Sequence, residues 1–416
     1  MKPRKLWSSG TGASDAYVKR VCRIMAKRIV LFHGKLDTLN LFTDQLRIGL
    51  EALGYEIFLF DLENLVQSLG KLYGAMQEKP ITAMIGFNST FFSLKTASGV
   101  NVWEQLNIPC INILVDHPYW YRDILLNAPS NSILLCVDRN HMSFVNRFYP
   151  NIEINGFLAH GGTISANTLK SLRDRKIDVM YAGSLFADYV DAKRSNFSKW
   201  AFPTEQICKE TIDYLMQHRD VTIESALEII LKEHGGHLDE QKLGEFISDC
   251  LFIERVVVSY FREKILSKIA RTGISLTLFG DGWERCAWIS LPNVYYGGRV
   301  SPGEILSQME DSKIVLNTFP WFKDGSHERI YNGLLRGCLI ASDTSGYLEE
   351  TLPEDLWCRF SLSDEDIEAL PTRLCYILAH IDEAQTIADS GYQYGLNGHT
   401  WQQRAKEIHE DILGYL

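Results

Sequence analysis

The stretch from Asp324 to Asp343, Asp-Gly-Ser-His-Glu-Arg-Ile-Tyr-Asn-Gly-Leu-Leu-Arg-Gly-Cys-Leu-Ile-Ala-Ser-Asp, joins a small-residue turn, a helical segment, a second turn and an apolar strand. Gly325 and Ser326 can leave backbone N–H groups free at the helix start, where the helix dipole favours a phosphate. Glu328 and Asn332 are four residues apart and therefore share one helix face. The stretch predicts a phosphate-binding turn followed by a polar pair that can bind hydroxyls, which is what a nucleotide-sugar site requires.

Length and composition predict a soluble, two-domain globular protein. The chain has 416 residues, of which 46% are apolar and 23% charged, enough for two hydrophobic cores. The net charge of −10 argues against general nucleic-acid binding, which needs a basic surface. Nine scattered cysteines without a C-x-x-C pair indicate a reducing compartment, so we expect a cytoplasmic protein. No apolar run reaches the length that spans a membrane.

The first 26 residues form a separate basic extension. The first 28 residues contain eight Lys or Arg against one acid, Asp15, and no apolar core of a signal peptide. Either this extension is a disordered arm that contacts a partner or a membrane surface, or the start is placed too early. We favour the second interpretation, because Met25-Ala-Lys-Arg-Ile-Val-Leu-Phe is an ordinary beginning for a first strand.

Short apolar runs alternate with helical segments along both halves of the chain. The first half predicts strands at 29–33, 56–61, 83–87, 110–116 and 132–138; the second predicts them at 177–182, 274–279, 293–296, 313–318, 338–341 and 356–360. Such alternation is typical of parallel, doubly wound α/β sheets with helices on both faces. We therefore predict two Rossmann-like domains at 27–165 and 176–400, with a polar linker near 163–175.

Two segments lie outside this alternation. An insertion at about 185–271 predicts helices near 204–217, 222–234 and 239–271, because its apolar residues recur at helical spacing. It either covers its own small core, which we favour, or grips an acceptor or a second subunit. The C-terminal segment 401–416 predicts a helix that can cross back to the first domain. The oligomeric state is left open.

Residues at the ends of first-half strands are candidates for acceptor-side chemistry, because ligands of doubly wound sheets bind beyond the carboxyl ends of the strands. Asp116 and His117 follow the fourth strand and could form a general base or a substrate clamp. The alternative is a helix-start turn with a proline at its first position. Other acceptor-side candidates are His33, Gly34, Asp37 and His160.

Small-residue turns in the second half are candidates for donor binding. Gly183-Ser184 and Gly280 with Trp283 each follow a predicted strand, and small residues let a diphosphate approach the backbone. Gly297-Gly-Arg299-Val300 follows another strand and could meet the edge of a base through main-chain groups. Trp283 could stack on a base or fill a core. Lys323 and Arg329 flank the turn at 325–327, and either could neutralise a departing diphosphate.

Four sequence motifs that would indicate a metal site or another class of enzyme are absent. No Asp-x-Asp follows a strand, and the chain lacks a P-loop, a G-x-S-x-G elbow and a G-x-G-x-x-G after its first strand. We therefore expect neither a metal nor a nicotinamide or flavin cofactor.

The chain resembles the GT-B glycosyltransferases of the CgeB-like group, which are related to the broad group-1 transferases. The resemblance rests on Gly325-Ser-His-Glu-Arg-Ile-Tyr-Asn-Gly-Leu-Leu-Arg-Gly337, on Ser342-Asp343 and on Tyr347-Leu-Glu-Glu350. Ser312-Lys-Ile-Val-Leu-Asn317 and Tyr181-Ala-Gly-Ser184 support it. The likeness is strongest over about 275–352.

This resemblance implies two domains across a cleft, a nucleotide-sugar donor on the second, an acceptor on the first, and transfer without a metal. It places Ser326 and His327 near the phosphates and Glu328 near the sugar or ribose. Related transferases carry a Glu where this chain has Asn332, which can hydrogen-bond a hydroxyl without charge assistance.

We thus expect a cytoplasmic glycosyltransferase acting on a protein or cell-surface glycan, with Asp116, His117 and Glu328 as catalytic candidates. Two alternatives stay open at this point. One is a nucleotide-sugar 2-epimerase on the same fold; the other is a non-catalytic binding or assembly protein.

Overall fold

Two six-stranded parallel sheets, one from each half of the chain, form the frame of the protein. A computed structural model describes residues 27–34, 36–186 and 194–416, so the predicted extension at 1–26 lies outside the described residues. The strands are β1 Arg28–His33, β2 Glu56–Asp61, β3 Ile81–Phe87, β4 Cys110–Leu114, β5 Ser132–Cys136, β6 Ile154–Phe157, β7 Ile177–Ala182, β8 Leu276–Phe279, β9 Val294–Tyr296, β10 Ser312–Asn317, β11 Leu339–Asp343 and β12 Trp357–Phe360. Their orders in the two sheets are β2-β1-β3-β4-β5-β6 and β12-β11-β10-β7-β8-β9.

The central strands form because their apolar runs are buried on both faces by helices. All residues of β4, β8 and β11 are buried, as expected for parallel strands sandwiched between helical layers. In register, Ile314–Asn317 of β10 pair with Leu339–Ser342 of β11.

Helices cover both sheets. In the first domain these are α1 Asp37–Ala52, α2 Leu65–Glu78, α3 Val102–Leu106, α4 Arg122–Leu126 and α5 Arg139–Phe148. The remaining helices are α6 Thr204–Gln217, α7 Ile223–Glu233, α8 Glu240–Asp249, α9 Phe252–Ala270, α10 Pro302–Glu310, α11 Glu328–Leu334, α12 Gly346–Thr351, α13 Asp364–Ala379, α14 Ile381–Gly398 and α15 Trp401–Ile408. A 3₁₀ turn at Pro118–Tyr121 follows β4.

Helices α6 to α9 form the insertion between β7 and β8. The predicted third helix of this segment is divided in two at Cys250–Leu251. The insertion also reaches the first domain: Tyr119 donates to Glu254, and Arg147 donates to Glu228 and to Glu240. It therefore bridges the two domains in addition to burying its own apolar side chains.

The C-terminal helix α15 packs on α1 of the first domain. Gly162 N donates to His399 O at 2.7 Å and Trp401 N to Gly162 O at 3.2 Å, which ties the end of the chain to the linker between the sheets. Trp401 is completely buried. Among the described residues, no helix has the length and apolarity needed to cross a membrane.

Two elements were not predicted. Strand β6 lies at a sheet edge, is only partly buried and contains Asn155 and Gly156, so its sequence lacks an apolar run. Helix α14 contains Gly391 and Gly395, which disfavour a helix locally. Their lack of a side chain lets α14 approach Leu334 and Leu335 at the end of α11, so packing overrides propensity.

Gly49 tests the contact between α1 and α15. A Cβ on Gly49 would lie 2.6 Å from Ala405 Cβ and 2.9 Å from Gln402 Cα, whereas one on Gly74 in α2 would meet nothing. We expect Gly74→Ala to raise the free energy of unfolding by about 0.5–1 kcal/mol through helix propensity. Gly49→Ala should lower it by about 1–3 kcal/mol through overpacking.

Chemical denaturation of the two variants measures this difference. Equal stabilisation by both substitutions would show that α15 does not pack on α1 as described.

Candidate functional site

A cavity of about 440 Å³ lies between the two domains. It opens at the carboxyl ends of β7 and β10, where the strand order of the second sheet reverses direction; this is where doubly wound sheets bind ligands. The first domain contributes Thr38, Leu41 and Phe42 of α1. The second contributes Gly183, Ser184, Gly280, Asp281, Arg299, Val300, Ile305, Leu306, Glu328, Arg329 and Asn332, among others.

The glycine turns of this wall pack against each other. Gly280 and Gly282 have φ of +117° and +91°, conformations that glycine adopts at little cost. A Cβ on Gly280 would lie 2.6 Å from the carbonyl of Gly183, and one on Gly282 would lie 2.1 Å from Leu185 O. Ser184 Oγ accepts from Asp281 N at 3.1 Å. These glycines therefore close the floor of the cavity.

Trp283 packs behind the glycine turns and does not enter the cavity. Its side chain is fully buried, its Nε1 donates to Gly183 O at 2.8 Å, and it does not line the cavity. The core interpretation of Trp283 thus fits the geometry, and the base-stacking interpretation does not.

Two buried arginines flank the ring of Tyr181 beside the cavity. Arg329 and Arg262 are 6% and 4% exposed, and their guanidinium carbons lie 5.1 and 5.9 Å from the centre of that ring. Arg329 donates to Asn317 Oδ1 and Arg262 to Ser184 O. Within the part of the chain that the structure describes, neither forms an ion pair with a carboxylate.

This arrangement concentrates positive charge. Burial lowers the pKa of Arg262, and the neighbouring charge of Arg329 acts in the same direction. Two like charges held together without a carboxylate partner are costly unless an anion joins them. The sequence interpretation named Arg329 but missed Arg262, although a charged residue in the apolar stripe of α9 was a visible signal.

Glu328 begins α11 and faces the cavity. Its side chain is 25% exposed, and its Oε2 lies 3.1 Å from His327 Nε2. Enclosure in the cleft raises the pKa of Glu328, while the charge of Arg329 lowers it. His327 Nδ1 accepts from Arg329 N at 3.4 Å, so a neutral His327 carries its proton on Nε2, towards Glu328.

The turn at 325–327 is not open to a phosphate as the sequence suggested. Gly325 pairs with Asp138 of the first domain, and a Cβ there would lie 2.5 Å from Val137 O. Asp324 N donates to Asp138 Oδ2 at 2.9 Å, and Ser326 is fully buried. Neither Gly325 nor Ser326 lines the cavity, because the turn is occupied by the contact between the domains.

Asn332 and Arg299 both line the cavity. Asn332 Oδ1 accepts from Thr163 N in the linker at 2.8 Å, so its carbonyl is already engaged. Arg299 is largely exposed and lies 3.6 Å from Asp281; Val300 forms part of the apolar wall.

Asp116 and His117 point in different directions. Asp116 is exposed and is not among the residues that line the cavity, but its charge contributes to the raised pKa of Glu328. His117 is buried, stacks on Tyr119 with ring centres 3.6 Å apart, and its Nδ1 accepts from Tyr119 N at 3.2 Å. Burial lowers the pKa of His117 well below its usual value. His117 therefore caps the 3₁₀ turn, which is the alternative that its sequence context allowed, and does not face the cavity.

The other acceptor-side candidates lie near the cavity without lining it. His33 Nε2 is 3.6 Å from Asp44, Gly34 has a φ of +111°, and Asp37 is exposed at the start of α1. His160 is buried against Phe42 and Trp401, and burial lowers its pKa to about 3. The described residues contain no cluster of three or more His, Cys, Asp or Glu that could hold a metal.

Comparison with known proteins supports the architecture. A solved glycosyltransferase from Rickettsia africae matches with a TM-score of 0.51 and 10% identity, over 92% of this chain and 97% of that one. The chain has the GT-B fold. Sucrose-phosphate synthase from Thermosynechococcus elongatus (11% identity, 92% and 98% coverage) and Anabaena HepE in complex with UDP-glucose (12%, 94% and 100%) each give a TM-score of 0.49.

The sequence comparison covers mainly the second domain. Residues 262–410 match the family model described as glycosyl transferase-like. No curated protein matches the chain. The predicted GT-B fold is confirmed, and the matching family and the GT-B structure are glycosyltransferases; assignment to the CgeB-like group stays a prediction.

Substitutions of the buried arginines Arg262 and Arg175 should change the free energy of unfolding by different amounts. Arg175 is also buried, but its guanidinium donates to carbonyls of Ser312, Arg336 and Lys170. We expect Arg175→Met to cost about 3–5 kcal/mol, because it leaves buried acceptors unsatisfied. Arg262→Met should change stability by less than about 1 kcal/mol, because it also removes repulsion with Arg329.

Urea unfolding of both variants without ligand tests this expectation. A loss at Arg262 as large as that at Arg175 would mean that Arg262 serves the fold.

Proposed function

We propose that the protein is a cytoplasmic glycosyltransferase that moves a sugar from a nucleotide-diphosphate sugar to a hydroxyl acceptor. One observation carries the proposal: Arg329 lines the cavity beside Glu328, Arg262 lies behind it and donates to the cavity-lining Ser184, and both arginines are buried with no carboxylate at ion-pair distance among the described residues. A diphosphate is the anion whose size and charge suit two adjacent guanidinium groups. The match of residues 262–410 to a glycosyl transferase-like family supports the same reading.

The cavity suits such a donor in size and lining. Its volume of about 440 Å³ lies within the range of small-molecule sites, about 300–1,000 Å³. Val300, Ile305 and Leu306 offer an apolar wall to the base. The arginines then meet the diphosphate, and Glu328 and Asn332 meet hydroxyls of the ribose or the transferred sugar.

In the proposed reaction, the acceptor oxygen bonds to the anomeric carbon while the bond from that carbon to the diphosphate oxygen breaks. The electron pair leaves with the nucleoside diphosphate. Arg262 and Arg329 stabilise the charge that develops on the leaving group, so transfer proceeds without a metal. Asp116, on the acceptor side of the cleft, takes the proton of the attacking hydroxyl. By the family resemblance, the acceptor is a protein or a cell-surface glycan.

Thermal shift with UDP-, GDP-, dTDP- and CMP-sugars tests donor binding. We expect one nucleotide class to raise the melting temperature, since a ligand at about 100 times its Kd adds about 2.7 kcal/mol to the folded state. Arg262→Met should cut this stabilisation to about half or less, because binding that is about 10-fold weaker leaves about 1.4 kcal/mol at the same donor concentration. The control Arg173→Met replaces an exposed arginine paired with Asp382 and should retain it. An undiminished shift in Arg262→Met, or no shift with any nucleotide sugar, would contradict the proposal.

Donor turnover tests the role of Glu328. With the binding donor alone, we expect slow release of the nucleoside diphosphate, and Glu328→Gln should reduce it by about 10²-fold or more with a similar affinity for the donor. Chromatography of the sugar product separates hydrolysis from epimerisation. An epimer of the intact donor would identify a 2-epimerase instead, and donor binding without any turnover in the presence of glycan acceptors would identify a binding protein.

A further inference from the structure

We propose that Asn88 is a positioning residue that holds Asp116 as the proton acceptor for the acceptor hydroxyl, and that the strained backbone at Asn88 and Ser89 is retained for this task. The inference rests on the proposed glycosyl transfer and adds to it the device that orients the base.

The backbone immediately after β3 is strained. Asn88 and Ser89 have φ of 51° and 56°, and among the described residues the other non-glycine residue with a positive φ is Asn107 at 49°. Asn107 ends α3, where a left-handed residue is common. Two consecutive left-handed residues at the carboxyl end of a strand need support from their surroundings, and such outliers concentrate at functional sites.

Asn112 in the middle of β4 supplies that support. Its Oδ1 accepts from Ser89 N at 2.9 Å, and its Nδ2 donates to Ser89 Oγ at 2.8 Å. Asn112 is completely buried in a strand whose other residues are apolar. A buried amide costs free energy unless it is fully bonded, and this one is bonded to the strained turn.

The strained turn aims the Asn88 side chain at Asp116. Asn88 Oδ1 accepts from Val115 N at 2.9 Å, and Nδ2 donates to Asp116 Oδ2 at 2.9 Å. The phenol of Tyr121 donates to the same Oδ2 at 3.0 Å. Both donors thus engage one carboxylate oxygen. The structure shows no partner for Oδ1 among the described residues, which leaves it available to an acceptor hydroxyl.

Charged groups from both domains face this carboxylate. The insertion contributes Arg255 and Glu254, and α11 contributes Glu328. The surrounding cleft walls raise the pKa of Asp116, and the bonds from Tyr121 and Asn88 together with the charge of Arg255 lower it. The pKa of Asp116 is raised overall, and the hydrogen bond from Asn88 opposes this rise more weakly than the bond from Tyr121 and the charge of Arg255 do, so its main effect is to orient the carboxylate.

In the step assigned to Asp116, the proton of the acceptor O–H moves to Oδ1. The oxygen bonds to the anomeric carbon, whose bond to the diphosphate breaks, and the nucleoside diphosphate leaves with the electron pair. A displaced or protonated Asp116 slows this step without changing how the donor binds.

Two substitutions separate positioning from folding. Asn88→Gly removes the amide while relieving the positive φ, and Asn107→Gly gives the same relief away from Asp116. With the donor identified by thermal shift, we expect Asn88→Gly to lower kcat by about 10- to 100-fold, with donor KM within about two-fold. The melting temperature should fall only slightly, because relief of the positive φ offsets part of the cost of leaving Val115 N without its acceptor. Asn107→Gly should keep the kcat of the unsubstituted protein. Equal kcat for the two variants would overturn the inference, as would a large loss of melting temperature.

Asn88→Asp tests the charge. It tolerates the same backbone but places a second carboxylate beside Asp116, which raises the pKa of the pair. Because the base must be ionised, the acid limb of the pH–rate profile should move to higher pH by about one unit or more. An unmoved acid limb would contradict the role of Asn88.

The positioning role of Asn88 can also be tested by a measurement that needs no substrate. Carboxyl ¹³C NMR titration of Asp116, assigned with Asp116→Asn, should show a higher pKa in Asn88→Gly than in Asn107→Gly. Identical titrations would overturn the positioning role. Absence of turnover in the unsubstituted protein would count against the glycosyltransferase proposal alone.

Discussion

The site depends on two buried guanidinium groups near the ring of Tyr181, neither of which forms an ion pair with a carboxylate among the described residues. Such a pair opposes folding, because burial removes the water that would otherwise stabilise each charge. Protein packing compensates for the cost: the Arg262 guanidinium is also stacked near Trp321, and each arginine donates to one oxygen of the second domain. The structure thus maintains a localised positive charge in a protein whose net charge is −10.

The insertion links this charge to the rest of the molecule. Helix α9 carries Arg262 on the donor side and Glu254 and Arg255 on the acceptor side. Within this helix, Glu254 accepts hydrogen bonds from Tyr119 and Trp120 of the first domain. The segment therefore does more than cover its own core: one helix contacts the first domain through Glu254 and the second domain through Arg262.

The sequence predicted the frame well, because parallel strands buried on both faces leave near-continuous apolar runs. Strand β6 and helix α14 escaped prediction, since an edge strand and a glycine-containing helix depend on tertiary packing. The site was predicted in part. Glu328, Arg329 and the glycine turns line the cavity, but no local pattern shows that Asp138 occupies the turn at 325–326. Likewise, the burial of His117 under Tyr119 and the arrival of Arg262 from α9 are contacts between distant segments.

Isothermal titration with the nucleoside diphosphate of the donor, and with the matching nucleoside, is the most direct test of the paired-arginine site. The account predicts that Arg262→Met and Arg329→Met each weaken the diphosphate by about 10-fold or more, since hydrogen bonds to charged groups contribute about 1.5–3 kcal/mol. Binding of the uncharged nucleoside should not change in either variant. Equal loss for both ligands, or full retention of diphosphate affinity, would contradict it.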